Sequence, residues 1–201
     1  MATFQQSFCI PCFWRSAEPD DVRETIEEAA RIGYPAVELW FRESAPFDVI
    51  CSTAQDRGMT VASICGHQSI PDGLNKPENH ARIREELLAS IEVAQERGIP
   101  NLICFSGNRN GIDDADAVGI VADGLAQVTK EAEAAGVTLN MELLNSKVDH
   151  AGYQCDHTAW GVEVVRRVGS PNVKLLYDIY HMQIMEGDLC RTIQEHVDCI
   201  G

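Results

Sequence analysis

Two carboxylates in this sequence each close a short apolar run, and their type and position suit them to chemistry. Asp178 follows the run 173–177, and Glu142 follows the run 137–141. An ionised carboxylate left unpaired in apolar surroundings is costly, so each should lie at the wet end of its strand, paired or bound to a cation. Two consecutive strands would then bring one carboxylate each to the same end of one sheet. This arrangement is typical of a metal site.

A divalent cation is the ligand that such a pair suits best, with His181 three residues beyond Asp178. The residue types favour Mg or Mn, with Co or Zn as alternatives. Such an ion would polarise a substrate carbonyl and its neighbouring hydroxyl, acidify the C–H between them and stabilise an ene-diolate. A carboxylate beside the ion would then move the proton. The structural alternative is that Glu142 and Asp178 form ion pairs with Lys or Arg.

The elements that must position these residues follow from the hydrophobic pattern. Strand-like apolar runs alternate with longer stretches of helical period, which predicts an α/β fold with a parallel sheet. The predicted strands cover residues 4–14, 36–40, 60–65, 101–105, 137–142 and 173–177. The predicted helices cover residues 19–33, 47–58, 78–98, 113–136, 158–168 and 188–197, and residues 199–201 look like the start of another strand.

These units favour a TIM (β/α)8 barrel. About six strand-helix units and the start of a seventh fit into 201 residues, whereas an eight-fold barrel typically needs about 250. We therefore expect residues 1–201 to form one barrel domain that lacks its seventh and eighth strands. An open doubly wound sheet is the alternative, but the first strand carries no glycine fingerprint. A barrel also explains why successive strands end in polar residues, because their C-termini converge on one mouth.

The barrel mouth supplies the candidate substrate-binding residues. Besides the carboxylates, the side chains expected there are Phe13, Trp14, Glu38, His67, Ser106, Asn145 and His181. Of these, we expect His67, Ser106, Asn145 and His181 to contact substrate. For His67 the alternative is a histidine that holds its own loop. The loop 106–111 looks at first like a phosphate cradle, but it lacks the lysine of a P-loop and is better read as a turn that contacts substrate.

Composition limits the partners of the chain. There are 31 acidic and 16 basic residues and a formal net charge of -15, so we expect no nucleic-acid partner and no anionic membrane surface. No apolar run approaches the roughly 20 residues that cross a bilayer. Eight cysteines without a secretory signal predict reduced thiols and a cytoplasmic protein. Cys9 and Cys12 have redox-motif spacing, but they fall in a predicted strand, so a redox or zinc role there is a minor alternative.

Three stretches resemble the hydroxypyruvate isomerase family and, more broadly, the xylose isomerase-like superfamily of sugar isomerases and epimerases. They cover residues 141–145, 153–163 and 175–188, with further likeness at 63–67 and 102–108. The resemblance implies a metal-dependent isomerase that interconverts hydroxypyruvate and tartronate semialdehyde, with a small hydroxy-carbonyl compound as substrate. It implies that Glu142 is a metal ligand and one of two proton-shuttling glutamates, that Asp178 is a second ligand, and that His181 is a substrate-side residue. His67 is a weaker match.

The sequence departs from the family pattern at its end. Such families take a third ligand, His or Gln, from the seventh strand and the second catalytic Glu from the eighth, and this sequence ends at Gly201 before either. We expect a fragment of an active isomerase. One alternative is a ketose 3-epimerase of the same superfamily. Another is a non-catalytic barrel that acts as a binding module. In either case the open edges of the first and sixth strands would invite association, for example into a homo-oligomer.

Overall fold

The computed structural model describes residues 5–201, so Phe4, which was predicted to open the first strand, lies outside the described residues. Within them, the sheet is parallel and the helices connect successive strands. The strands are β1 (Ser7–Cys9), β2 (Ala36–Glu38), β3 (Thr60–Val61), β4 (Ser63–Cys65), β5 (Asn101–Cys104), β6 (Thr138–Glu142) and β7 (Val173–Leu176). The helices are α1 (Pro19–Ile32), α2 (Phe47–Asp56), α3 (His80–Arg97), α4 (Asp114–Ala126), α5 (Thr129–Ala135), α6 (Thr158–Val168), α7 (Ile179–Met185) and α8 (Leu189–His196).

The strands form one continuous parallel arc. β1, β2 and β3 pair in that order, as do β4, β5, β6 and β7. The two groups are joined because β3 and β4 are parts of a single predicted strand, separated only by Ala62. The Ala62 N–H donates to the carbonyl of Val37 at 2.7 Å, and Leu39 N–H donates to Ser63 at 3.3 Å. Beyond β7, Ile200 forms a parallel bridge with Leu175, where the sequence predicted a new strand to begin.

Three local predictions need correction. The first strand is shorter than residues 4–14, because the chain turns into a 3-10 helix, Ile10–Cys12, at Pro11, which has no N–H to give to a sheet. The predicted helix 113–136 is two helices, broken where Val128 leaves the helical conformation and buries its side chain. Helix α7 was not predicted at all. It begins directly after Asp178, whose side chain caps it.

Alternation along the strands positions the carboxylates. In β6, Leu139 and Met141 are fully buried on one face, while Asn140 and Glu142 lie on the other, as the period of two requires. Glu142 pairs in register with Leu176 of β7. Asp178, two residues further on, therefore lies on the same face of the sheet as Glu142.

The remaining sequence expectations concern membranes and the hydrophobic core. Within residues 5–201, no helix combines the length and the apolar character needed to span a membrane. The buried apolar side chains form one continuous core that includes residues from every strand except β1, whose Phe8 packs against it. The hydrophobic core therefore runs without a break from β2 to β7.

Candidate active site

A cavity of about 320 Å³ opens where the C-terminal ends of the strands meet, and we call it the mouth cavity. Its polar lining residues are Glu142, Asp178, His150 and His181. The other lining residues are Trp40, Phe41, Cys65, Ile70, Ile103, Phe105 and Leu144. The structure thus brings together the two carboxylates and the histidine singled out in the sequence, inside a largely apolar wall.

Glu142 is the last residue of β6, and its carboxyl group is mostly buried. Burial, followed by the charges of Asp178 and Glu38, raises the pKa of Glu142 to about 8. Its backbone carbonyl accepts a hydrogen bond from the Tyr153 hydroxyl at 3.0 Å, which fixes the strand end. A carboxyl group with a pKa near neutrality can both take up and release a proton at working pH.

Asp178 divides its two carboxylate oxygens between two roles. Oδ1 accepts the N–H groups of Tyr180 at 2.8 Å and His181 at 3.1 Å, and so caps helix α7. Oδ2 lies 3.9 Å from Nε2 of His181. One oxygen therefore holds the backbone, and the other is left to interact with a cation or a neighbouring side chain.

His181 lines the mouth cavity, and a contact with Asn145 holds its ring in place. Burial lowers its pKa, so the ring is neutral near pH 7. Asn145 contacts the ring nitrogen Nδ1 at 2.6 Å through its amide nitrogen. Asn145 itself is fully buried and does not line the mouth cavity, although the sequence predicted substrate contact for it.

His150, in the loop after β6, is the polar lining residue that the sequence did not single out. Its ring centroid lies 5.4 Å from that of His181, edge to face. Its position, five residues after Asn145 in a loop, carries no periodic signal, since loops have no regular period. Only the path of the loop over α7 brings it to the cavity.

His67 and Ser106, both predicted to contact substrate, lie outside the mouth cavity. Nε2 of His67 accepts the N–H of Phe105 at 2.9 Å, and Nδ1 lies 3.0 Å from the carbonyl of Gln68. Both ring nitrogens are thus used by backbone groups, and burial lowers the pKa of His67 to about 4. Ser106 is fully buried, and its hydroxyl accepts the N–H of Cys155 at 3.0 Å. Both residues hold loops, and the proposed site is built without them.

The loop 106–111 is a tightly packed turn in this structure. Gly107 has φ +94°, and a Cβ atom there would meet Gly73 N at 2.7 Å. The following Arg109 forms two hydrogen bonds with Asp156, at 2.8 and 3.2 Å, and so ties this loop to the loop after β6. A glycine at position 107 is therefore explained by packing and backbone conformation.

The cysteines remain thiols. All eight are free, and five of them are buried. At the Cys9 and Cys12 pair, burial and then the neighbouring Cys12 raise the pKa of Cys9 to about 12. A thiolate is therefore disfavoured at Cys9, which argues against the redox alternative.

The donor set of the mouth cavity fits a divalent cation in part. Among residues 5–201, no three His, Cys, Asp or Glu side chains are grouped closely enough to hold a metal ion. Glu142 and Asp178 nevertheless lie close enough for their charges to interact, and within the described chain neither is paired with Lys or Arg. A cation between two such carboxylates would offset their repulsion and the cost of burial, so these residues fit a metal as two of its ligands.

Comparison with known proteins adds two similar sequences. A mouse protein, provisionally named as a hydroxypyruvate isomerase, is 27% identical over 200 residues, which cover 94% of this chain and 72% of the mouse protein. The hydroxypyruvate isomerase of Escherichia coli strain K12 is 28% identical over 126 residues, which cover 62% of this chain and 48% of that enzyme.

A solved structure and a family model also match this chain. The crystal structure of an AP endonuclease, family 2, from Brucella melitensis matches with a TM-score of 0.84 at 23% identity, covering 98% of this chain and 77% of that one. At this identity the likeness shows the fold alone, and it confirms the predicted TIM-barrel fold. The model of the xylose isomerase-like TIM barrel family matches residues 26–199. The chain therefore belongs to the xylose isomerase-like TIM barrel family.

Proposed function

We propose that this chain is a metal-dependent isomerase that interconverts hydroxypyruvate and tartronate semialdehyde. The observation that carries the proposal is the pair Glu142 and Asp178, on one face of neighbouring strands and in one cavity. The similar proteins named as hydroxypyruvate isomerases support an isomerase of this type. The position of the cavity at the C-terminal ends of the strands supports it as well, because TIM-barrel active sites lie there.

Glu142 and the free oxygen of Asp178 would hold the metal, with Mg or Mn favoured by an all-oxygen donor set. When bound, a divalent cation would polarise the substrate carbonyl and its neighbouring hydroxyl and so acidify the C–H between them. Asp178 is well suited to hold an ion, because its other oxygen is fixed to the start of α7. Ligands that are oriented in advance lose less freedom on binding.

Glu142 would move the proton. Its carboxylate removes a proton from C3 of hydroxypyruvate, the electron pair of that C–H bond forms the C2–C3 double bond, and the π pair of the C2 carbonyl moves onto its oxygen to give an ene-diolate. Glu142 then returns its proton to C2, and the proton of the C3 hydroxyl passes to the C2 oxygen, so that C3 becomes the aldehyde and C2 the secondary alcohol of tartronate semialdehyde. No atom or electron is gained or lost. The pKa of about 8 belongs to the metal-free site, and a cation beside Glu142 would lower it, so that the carboxylate that removes the proton is present at neutral pH.

The apolar part of the wall protects this chemistry. Phe41, Ile103 and Phe105 exclude water beside Glu142. Exclusion of water strengthens the electrostatic interactions of the site and limits side reactions of an ene-diol. It also accounts for much of the pKa shift of Glu142.

A ketose 3-epimerase is the second candidate function, and one observation favours it. Hydroxypyruvate carries a carboxylate, but among the described lining residues of the mouth cavity there is neither Lys nor Arg. A neutral ketose needs no such partner. Proton removal and return by Glu142 at a carbon beside a carbonyl would serve epimerisation as well as isomerisation.

The experiment that separates these functions is a substrate profile in D2O. The chain is incubated with Mg or Mn and with hydroxypyruvate or each of a panel of ketoses, and deuterium in the recovered carbon skeleton is followed by NMR and mass spectrometry. We expect deuterium at the carbon next to the carbonyl in the product of hydroxypyruvate. Preference for a hexulose would reverse the order of the two candidates. Absence of exchange with every keto acid and ketose would contradict both.

A further inference from the structure

Asn145 occupies a fully buried position between the loop after β6 and helix α7, and all of its amide hydrogen-bonding groups are used. One amide atom faces the N–H groups of Val148 at 3.1 Å and Asp149 at 2.9 Å. An N–H group can only donate, so this atom must be the carbonyl oxygen Oδ1. The other amide atom is therefore the NH2 group, and the orientation of the amide is fixed.

The amide nitrogen of Asn145 then donates in two directions. One hydrogen goes to the Asp149 carboxylate at 2.7 Å, and the other goes to Nδ1 of His181 at 2.6 Å. Asp149 is held in turn by the hydroxyl of Tyr180, which donates to the same carboxylate oxygen at 2.8 Å. The acceptor for Asn145 is thus anchored to helix α7, next to His181.

The consequence for His181 is a single tautomer. A ring nitrogen that accepts a hydrogen bond carries no proton, so in the neutral ring the proton must be on Nε2. This Nε2 is the nitrogen that lies 3.9 Å from Oδ2 of Asp178, at the mouth cavity. The ring therefore presents an N–H donor, and not a lone pair, to the cavity.

We propose that Asn145 is a positioning residue that holds His181 in its Nε2–H tautomer, so that the ring donates a hydrogen bond to an oxygen of the substrate. The proposal rests on the proposed function for the identity of the substrate, but the tautomer itself does not depend on it. A donor here suits a carbonyl or hydroxyl oxygen beside the reacting carbons. It would also bind oxygen more strongly as negative charge develops on it.

Nitrogen-15 NMR of the ring nitrogens of the intact chain, labelled at histidine, tests the tautomer without any assay of activity. We expect His181 to show a protonated Nε2 and an unprotonated Nδ1, and we expect hydroxypyruvate to shift the Nε2–H signal. In Asn145→Asp, a carboxylate oxygen replaces the NH2 group and accepts a proton from Nδ1. The tautomer should then reverse, and kcat/KM should fall about tenfold or more, with kcat falling as well as KM rising, because the lost hydrogen bond strengthens in the transition state. Asn110→Asp, in an exposed loop, is the control and should change neither.

A second variant covers the case in which Asn145→Asp does not fold. Asn145→Ala removes the donor to Nδ1 without adding a charge, so neither tautomer is held and we expect a mixture of the two His181 tautomers. A wild-type ring with its proton on Nδ1 overturns the inference whatever the activity. So does a tautomer that is unchanged in both variants. Absence of wild-type turnover, together with the expected Nε2–H signal, would contradict the proposed function and leave the role of Asn145 standing.

Discussion

The surroundings of Glu142 and Asp178 give these two carboxylates different properties. Glu142 lies at the bottom of an apolar wall, where burial and neighbouring charge favour its protonated form. Asp178 lies at a helix N-terminus, where its Oδ1 accepts two N–H groups and its side chain is held in place. A site with one proton-accepting carboxyl group and one carboxyl group oriented by a helix suits an isomerase that moves a single proton.

The raised pKa of Glu142 predicts a dependence of stability on pH. Its folded-state pKa of about 8 lies above its ordinary value of 4.5, so the folded chain binds the proton more tightly. This contribution is fully present below pH 4.5 and is lost as the pH rises through 8. Glutamine does not ionise, so Glu142→Gln should not lose this stability as the pH rises. Between pH 5 and 9 the unfolding free energy of the variant should therefore increase by about 1–3 kcal/mol relative to that of wild type. Urea unfolding in EDTA measures it. If the unfolding free energies of wild type and variant changed equally between pH 5 and 9, the environment described for Glu142 would be contradicted.

Sequence and structure agree, for a physical reason, that Glu142 and Asp178 lie together at the ends of the strands. A charged residue at the end of an apolar strand must reach water or an ion, so the sequence predicts Glu142 and Asp178 at the barrel mouth. His181 lies three residues beyond Asp178 and is therefore expected there as well. His67, Ser106 and Asn145 also follow apolar runs, but the structure places them behind the cavity. What separates the two groups is which face each side chain takes and which backbone groups need a partner. Neither can be read from residue type at a strand end.

Helix α7 is the element that turns strand β7 into part of the site. Asp178 caps its N-terminus, and at its other end the Lys147 ammonium donates to the carbonyls of Ile184 at 3.1 Å and Met185 at 3.0 Å. A cation at the C-terminal carbonyls complements the helix dipole. Asp178 and the loop after β6 thus fix the two ends of a seven-residue helix that is too short to be stable on its own.

The cap can be separated from the charge of Asp178 with two variants. Asp178→Asn and Asp178→Ala both remove the charge, but only asparagine can still accept the N–H groups of Tyr180 and His181. We expect the alanine variant to be less stable than the asparagine variant by about 1 kcal/mol. Thermal unfolding in EDTA measures the difference. Equal stability of the two variants would show that the side chain does not cap α7.

A matched pair of glycines tests the packing of the loop 106–111. Gly107 and Gly111 have similar backbone angles, φ +94° and φ +86°, but a Cβ atom at Gly107 would lie 2.3 Å from Oδ1 of Asn75, whereas one at Gly111 meets nothing within 4 Å. Gly111→Ala should cost about 1–2 kcal/mol for the left-handed backbone alone. Gly107→Ala should cost about 1–3 kcal/mol more, because the contact is crowded. Similar losses in both variants, measured by chemical denaturation, would contradict this account of the loop.

At the scale of the whole molecule, the rhythm of strands and helices was enough to predict the parallel barrel. The breaks were not predicted, because they depend on tertiary packing: the split helix at Val128 buries a side chain, and α7 exists because of contacts at both ends. The net charge of -15 then constrains function within a fold that also serves other activities.

That charge predicts no binding to duplex DNA, despite the fold shared with the Brucella protein. Neutralising several phosphates needs clustered Lys and Arg, and this chain has 16 basic residues against 31 acidic ones. Fluorescence anisotropy with a labelled duplex at 50 mM salt should show no binding at micromolar protein. A salt-dependent Kd in the low micromolar range would contradict the prediction and favour a nuclease.

Calorimetric titration of Mn²⁺ into the metal-free chain tests the central claim most directly, because it needs no substrate. We expect one Mn²⁺ per chain, an affinity at least tenfold weaker in Asp178→Asn and in Glu142→Gln, and no change in Glu92→Gln, which removes an exposed carboxylate of α3. Under the same account Glu142→Gln has no isomerase activity even at saturating metal, because the proton acceptor is lost with the ligand. Equal Mn²⁺ affinity in the wild type and in both site variants would show that Glu142 and Asp178 do not form the metal site.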